Sequence, residues 1–400
     1  MARILIVNKF YYLRGGDCVA AISLQEMLEQ KGHSVAIFSM QYPLNNKSEW
    51  DRFFPSEVNF SAGSVKRKLD AFFRLFYSRE VKDKFERIIK EFNPDIVHLH
   101  NIHSYLSPLV AQVAYEKNIK VVWTLHDYKL ICPAYSCLRD HHACELCYTD
   151  KLNVLKYRCV KHSLPGSLMA LLEAWTWNRK RLQKYTTRFI APSSFLKSKM
   201  VSAGFDPAKI TVLHNALFSS VEEEAGRPED PGYYCYVGRL SAEKGIENLL
   251  QVASKLPYTL KVVGTGDLEA ALKARYSDCP HIEFLGQMKH EDVIGILQHA
   301  LFSVLPSVCY ENNPFSIIES LSVGTPVLGA DIAGIPELIE EDKNGFLFEP
   351  LNLTSLETMI HKSFATFIPS YNRSDIKRQA QAKFSPDNYY DQLMRIYSII

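Results

Sequence analysis

Two pairs of residues in the second half of this chain have the types and spacing to grip an anionic, hydroxyl-rich ligand. Arg239 and Lys244 bracket the segment Gly238-Arg239-Leu240-Ser241-Ala242-Glu243-Lys244-Gly245, which enters a helix, so both cations can converge on a diphosphate already facing helix amides. Taken alone, these two charges would serve equally as solvated cations on a turn. Glu311 and Glu319 close the two ends of Glu311-Asn312-Asn313-Pro314-Phe315-Ser316-Ile317-Ile318-Glu319. Pro314 suits a helix start, which sets Glu319 inside the helix and Glu311 just ahead of it, so both carboxylates can address one extended ligand. One can hold ribose hydroxyls while the other meets a sugar.

The first half carries a second set. Gly15 and Gly16 follow the first strand and precede a helix. Paired glycines let backbone approach a ligand closely, and amides at a helix start attract a phosphate or a developing oxyanion. The spacing is not the dinucleotide Gly-x-Gly-x-x-Gly, and a tight turn alone would explain it. The run Val121-Val122-Trp123-Thr124-Leu125 ends in His126-Asp127, placing an imidazole and a carboxylate at the carboxyl edge of a sheet, where His126 can contact substrate. His98, His100 and His103 lie near another strand end and are read as packing or hydrogen-bonding residues.

Five of the nine cysteines fall between Cys132 and Cys159. Cys144-Glu145-Leu146-Cys147 forms a knuckle that, with Cys132 and Cys159, could complete a tetrahedral thiolate zinc site stapling a long loop. Cys137 is then left over, and His141 or His142 could replace one ligand. Free thiols or a disulfide pair are the alternatives. Four thiolates leave no open position, so such a zinc would be structural.

The elements that must position these residues follow from the apolar pattern. Short β-branched runs at 3–7, 34–38, 95–99, 120–125 and 188–191 alternate with amphipathic stretches such as 19–31. The series restarts at 233–237, 260–263, 282–285, 302–305 and 326–329, after a polar connector at 219–232. Right-handed crossovers then favour parallel sheets covered by helices. The 400 residues exceed one ordinary core. An α/β protein of two Rossmann-like domains is therefore expected, with its ligand in a cleft between facing sheets.

The net charge of +2 conceals a split: through Leu213, 31 Lys and Arg stand against 19 Asp and Glu, whereas the remainder holds 15 against 25. A basic half calls for an anionic partner. Cations interleave with aromatic residues at 61–90 and 151–200, including Phe72, Phe73, Trp175 and Trp177, a pattern that fits an anionic membrane surface. The plainer alternative puts the aromatics in the core and the cations on a solvated rim. No nucleic-acid motif accompanies the charge, so nucleic acid is not an expected partner. No apolar run approaches the roughly 20 residues that span a bilayer, and the apolar start turns polar at Asn8 and Lys9. The expected location is cytoplasmic, peripheral at the inner face of the plasma membrane.

Arg239-x4-Lys244 ahead of Glu311-x7-Glu319, together with the Gly15-Gly16 loop and the Thr124-x-His126-Asp127 strand end, resembles the retaining GT-B glycosyltransferases of glycosyltransferase family 4. The likeness covers nearly the whole chain. Asn215 matches the family's domain junction, 384–400 its final helix crossing back to the first domain, and the Cys-rich insertion a feature of a bacterial subset. The resemblance implies an acceptor domain, 1–213 joined by 384–400, and a nucleotide-sugar domain, 214–383. It implies transfer of a sugar from a UDP- or GDP-linked donor to a glycan or lipid-linked acceptor in bacterial surface polysaccharide assembly, with no metal required for catalysis. By the same resemblance Arg239 and Lys244 neutralise the leaving diphosphate, Glu319 binds ribose beside Phe315 and Ser316, Glu311 positions the sugar, and His126 meets donor or acceptor near the reacting carbon. Two departures stand out. Asp17 replaces a frequent Glu, and Asn312-Asn313 replaces smaller residues. A nucleotide-sugar epimerase, or a non-catalytic zinc-stabilised scaffold, would use the same contacts, and product chemistry separates the three.

Overall fold

Ile4, Leu5, Ile6 and Val7 are all fully buried, so the strand they form leaves no face for water and must be covered on both sides. The same holds down the chain in the computed structural model, which describes residues 1–58, 73–140, 142–217, 232–370 and 372–399. The strands, in order, are β1 (Arg3–Val7), β2 (Ser34–Phe38), β3 (Ile96–Leu99), β4 (Lys120–Thr124), β5 (Leu138–Arg139), β6 (His142–Ala143), β7 (Arg188–Ala191) and β8 (Ile210–Val212). They continue as β9 (Tyr233–Val237), β10 (Thr259–Val263), β11 (Ile282–Gly286), β12 (Ser303–Leu305), β13 (Val327–Ala330) and β14 (Gly345–Phe348).

The chain divides into two units, each an α/β body on a parallel sheet. Unit 1 comprises Met1–Cys137, Cys144–His214 and Tyr389–Ile400, and unit 2 comprises Leu138–Ala143 and Asn215–Asn388. The first sheet runs β2-β1-β3-β4-β7-β8 and the second β11-β10-β9-β12-β13-β14, with every neighbouring pair parallel. A small antiparallel pair, β5-β6, stands apart. The winding reverses between β1 and β3 in the first sheet and between β9 and β12 in the second. At such a switch point the loops leaving adjacent strands diverge and open a crevice at the carboxyl edge.

Several boundaries differ from expectation. The first long helix is Gly16–Gln30, with Gly15 as its N-cap, so it starts ahead of residue 19. The final helix, expected over 384–400, is Pro386–Ile399; it is separate from the preceding helix Arg373–Phe384 because Ser385 is extended (φ −64°, ψ 148°) and Pro386 lacks an N–H. Phe384 stays with unit 2, where its carbonyl accepts from Leu217 N at 2.9 Å. The second tail helix belongs to unit 1 from Tyr389 onward: Tyr390 Oη meets His33 Nε2 at 2.8 Å and Tyr397 Oη meets His98 Nδ1 at 2.6 Å. Residues 219–231 of the connector lie outside the described residues, as do 61–72 of the first basic stretch. Among the described residues no helix is long and apolar enough to cross a membrane.

The loops after β9 and β10 touch backbone to backbone. Gly264 adopts φ +125°, and a Cβ built on it would lie 2.0 Å from the Gly238 carbonyl oxygen. An alanine there meets both a forbidden dihedral and an immovable neighbour. Gly264→Ala should therefore lower the unfolding free energy by roughly 2 kcal/mol or more in a urea titration. A loss below about 0.5 kcal/mol, the range of ordinary surface substitutions, would contradict the packing described.

Candidate functional site

In unit 2 the site grows from the two strands that flank the switch point. After β9, Gly238 N and Leu240 N donate to Val263 O and Thr265 O, and Tyr236 Oη donates to Arg239 O at 2.7 Å, which fixes the turn. A short 3-10 turn, Ala242–Lys244, ends in Gly245 at φ +67°, where a Cβ would stand 1.8 Å from Pro306 O. Val308 N donates to Glu243 O at 3.0 Å. The loop after β9 is thus fastened to the loop after β12, and Lys244 Nζ reaches Glu311 Oε1 at 2.5 Å. Ser307 Oγ donates to the same oxygen at 2.6 Å, and Gly334 N holds the Glu311 carbonyl at 2.8 Å.

Burial alone would lower the pKa of Lys244, but the charge and hydrogen bond of Glu311 outweigh it and leave the ammonium more firmly protonated than usual. Arg239 is exposed, and its positive charge opposes that rise, so the two cations share one electrostatic neighbourhood. Glu319 sits in the helix Phe315–Ser322, whose first turn carries no side-chain cap and presents the half-buried Phe315 and Ser316. Its carboxylate faces His290 Nδ1 at 3.8 Å. Burial pushes its pKa up, and His290 opposes the shift. Arg239, Lys244 and Glu311 are therefore brought together, while Glu319 is set against His290, a residue that no spacing in the sequence marks. The Asn313 departure has a structural role: its Oδ1 accepts from Asn215 N at 2.7 Å, and Asn215 Nδ2 donates to Asn313 O at 2.9 Å.

Unit 1 gathers a different chemistry at its own strand ends. His126 Nε2 and His100 Nδ1 are 2.9 Å apart, and a small recess is lined by His100, Asn101, His103, Trp123, Leu125, His126 and Asp127. Asp17 lies 3.8 Å from Lys9, and both charges act on His126. Burial drives His126 down to about 4, with Asp17 opposing and Lys9 reinforcing the shift, and drives His98 down to about 3. These imidazoles are neutral at pH 7. Gly15 sits at φ −169°, extended backbone open to any residue, and a Cβ on it would make only an ordinary contact with Asp17, so close approach does not demand glycine there.

The four-thiolate zinc site is not formed. Among the described residues no group of three or more His, Cys, Asp and Glu is placed to hold a metal, and all nine cysteines are free thiols. The reason is pairing of a different kind. Cys132 hydrogen-bonds Cys137, the residue left over in the zinc arrangement, and that bond is the main cause lowering the Cys132 pKa to about 6. Cys137 Sγ also meets Tyr148 Oη at 3.6 Å, and Cys159 Sγ turns to the Asn153 carbonyl at 4.0 Å. His141 lies outside the described residues.

The profile described as Glycosyltransferase Family 4 matches residues 15–217, more than half of the chain, and the profile described as Glycosyl transferases group 1 matches residues 219–366. The chain belongs to glycosyltransferase family 4. It is 28% identical over 366 residues to an uncharacterized 42.6 kDa protein in the cps region of Klebsiella pneumoniae, covering 87% of this chain and 90% of that one. It is 33% identical over 155 residues to the O-antigen biosynthesis glycosyltransferase WbnH of Escherichia coli, spanning 38% of this chain and 43% of that protein. Among solved structures, the lipopolysaccharide outer core galactosyltransferase WaaB in its apo form matches all of both chains with a TM-score of 0.67 at 17% identity. Anabaena HepE in complex with UDP and glucose matches equally fully at 0.65 and 17%. These likenesses establish the two-domain GT-B fold of this family 4 chain.

The raised pKa of Glu319 makes a stability prediction with a definite sign. A carboxyl that holds its proton more tightly when folded penalises folding as pH climbs above its ordinary value of 4.5. Glu319→Gln should therefore unfold at a higher temperature than the native chain at pH 8, and the gap should close as pH falls below 4.5. A variant less stable than the native chain across that whole range would show that burial of Glu319 carries no such penalty.

Proposed function

We propose that this family 4 chain is a retaining hexosyltransferase that takes a sugar from a UDP- or GDP-linked donor and passes it to a glycan or lipid-linked acceptor in bacterial surface polysaccharide assembly. The observation that carries the reading is the Lys244–Glu311 pair, which closes the switch point of unit 2 with a cation and a carboxylate side by side. Relatives named for O-antigen, colanic acid and amylovoran biosynthesis support the pathway class. HepE bound to UDP-glucose supports a nucleotide-sugar donor.

In this reading unit 2 is the donor domain and unit 1 the acceptor domain. Arg239 and Lys244 neutralise charge developing on the leaving diphosphate, a preorganised electrostatic contribution. Glu319 holds the ribose beside Phe315 and Ser316, Glu311 orients the sugar, and His126 contacts donor or acceptor near the anomeric carbon. Gly15 and Gly16 line the approach. The acceptor hydroxyl attacks from the face the diphosphate leaves, and a phosphate oxygen takes its proton, so the anomeric configuration is kept. Lys244→Ala and Glu319→Ala should each lower donor turnover at least tenfold, about 1.4 kcal/mol of transition-state stabilisation. Product analysis should find free nucleoside diphosphate and an enlarged acceptor. A converted nucleotide sugar with no transfer would assign an epimerase instead.

The acceptor chemistry extends to a membrane surface. The helix Leu164–Thr176 exposes Leu164, Leu168 and Trp175, and exposed Lys156, Arg158, Lys161, Lys180, Arg181 and Lys184 surround it in sequence. Not every cation of the basic half is available. Arg74 is buried against Glu80 and Ser56, and Lys199 is paired with Glu145 at 2.5 Å. Each exposed cation near anionic lipid contributes about 1 kcal/mol, so changing Lys180, Arg181 and Lys184 together to Gln should lower co-sedimentation with anionic vesicles by about 100-fold. Equal binding of native and variant chains would place the acceptor away from a lipid surface.

A further inference from the structure

His100 directly follows β3 with its backbone fixed on both sides: its N–H donates to Val7 O at 2.9 Å, and its carbonyl accepts from Trp123 Nε1 at 2.8 Å. Its side chain is buried, with the residue 1% exposed, and Nδ1 lies 2.9 Å from His126 Nε2. Its other nitrogen, Nε2, is buried without a hydrogen-bond partner. His98 cannot supply one. That ring lies stacked on His100 at 4.7 Å between centroids, with both nitrogens engaged, Nδ1 by Tyr397 Oη at 2.6 Å and Nε2 by Thr124 Oγ1 at 2.7 Å.

A neutral imidazole has one proton to place. Were it on His100 Nε2, a buried N–H would be stranded, the rarer and costlier of the two possible orphans. Placed on Nδ1, it donates to His126, and only a bare lone pair is left in the apolar interior. His126 Nε2 must then be an acceptor, which leaves the proton of His126 on Nδ1. Burial holds His98, His100 and His126 below their ordinary 6.5, with Lys9 reinforcing and Asp17 opposing the shift at His126, so the neutral tautomers persist at pH 7.

We propose that His100 is a positioning residue, which donates its Nδ1–H to His126 Nε2 and so locks His126 in its Nδ1–H tautomer. This rests on the reading that His126 touches donor or acceptor. The pairing of two strand-end histidines is what makes it specific to this chain's geometry, because without that contact His126 would exchange between tautomers.

The tautomer is measured on the full-length chain with 15N-labelled histidine, by long-range proton–nitrogen spectra at pH 7.5, with the His126 signals assigned from a His126→Gln variant. The native chain should show a protonated Nδ1 and a bare Nε2 at His126. A protonated Nε2 there would overturn the proposal whatever the activity. His100→Leu should mix the tautomers and lower kcat for transfer about tenfold while the donor KM holds. His100→Asn, which returns an N–H donor near the Nδ1 position, should recover most of that loss and the single tautomer. Failure of His100→Asn to restore the tautomer would count against the donor role, and if His100→Leu does not fold, the native spectrum and His100→Asn still decide. A His126→Gln chain with undiminished kcat removes contact with the ligand, a failure of the functional reading that the native tautomer spectrum distinguishes from a failure at His100.

Discussion

Lys244 and Glu311 are 67 residues apart in sequence and 2.5 Å apart in the fold, and most of the local architecture of unit 2 serves that meeting. It needs β9 and β12 as neighbours across the reversal of strand order, so that the loops leaving them share one crevice. It needs Gly245 in a left-handed conformation against the Pro306 carbonyl, since a side chain there would push the two loops apart. It also needs Ser307 and Gly334 to fix the carboxylate and the backbone of Glu311. A cation held this way keeps its charge in a half-buried place and remains available to a polyanion, because an incoming diphosphate offers Lys244 a stronger partner than one carboxylate.

The two units manage charge in opposite ways. Unit 2 keeps Lys244 ionised by pairing it, whereas unit 1 keeps His98, His100 and His126 neutral by burying them. A neutral imidazole network suits recognition of sugar hydroxyls, which need donors and acceptors in fixed directions, and a charged loop suits a pyrophosphate. The division fits a donor domain and an acceptor domain on the same chain, as the proposed function requires.

Strand positions were legible because fully buried parallel strands are nearly continuous apolar runs, and β1, β2, β7 and β9 match their expected limits. β8 and β14 were missed: one has three residues, and the other opens on Gly345, so neither carries a distinct run. The final helix starts at Pro386, two residues inside the expected 384–400, where proline, lacking an N–H, suits a first turn. Arg239, Lys244, Glu311 and Glu319 could be picked out because their spacing relative to helix starts is itself chemical information. His290, Tyr236 and Gly334 could not, since each acts through a contact made only in the folded sheet. The zinc expectation failed for a related reason: Cys144 and Cys147 have knuckle spacing, but the fold pairs Cys132 with Cys137 instead. The charge count likewise overstated the basic surface, because Arg74 and Lys199 are engaged in ion pairs.

The central claim is that the loops after β9 and β12 form one diphosphate site. Backbone amide chemical shifts, followed while UDP and then GDP are added to the intact chain, test it most directly. The largest perturbations should fall on residues 238–245 and 311–319, and a Glu311→Gln chain should keep the same footprint. Perturbations confined to other strand ends, or none at millimolar nucleotide, would contradict it.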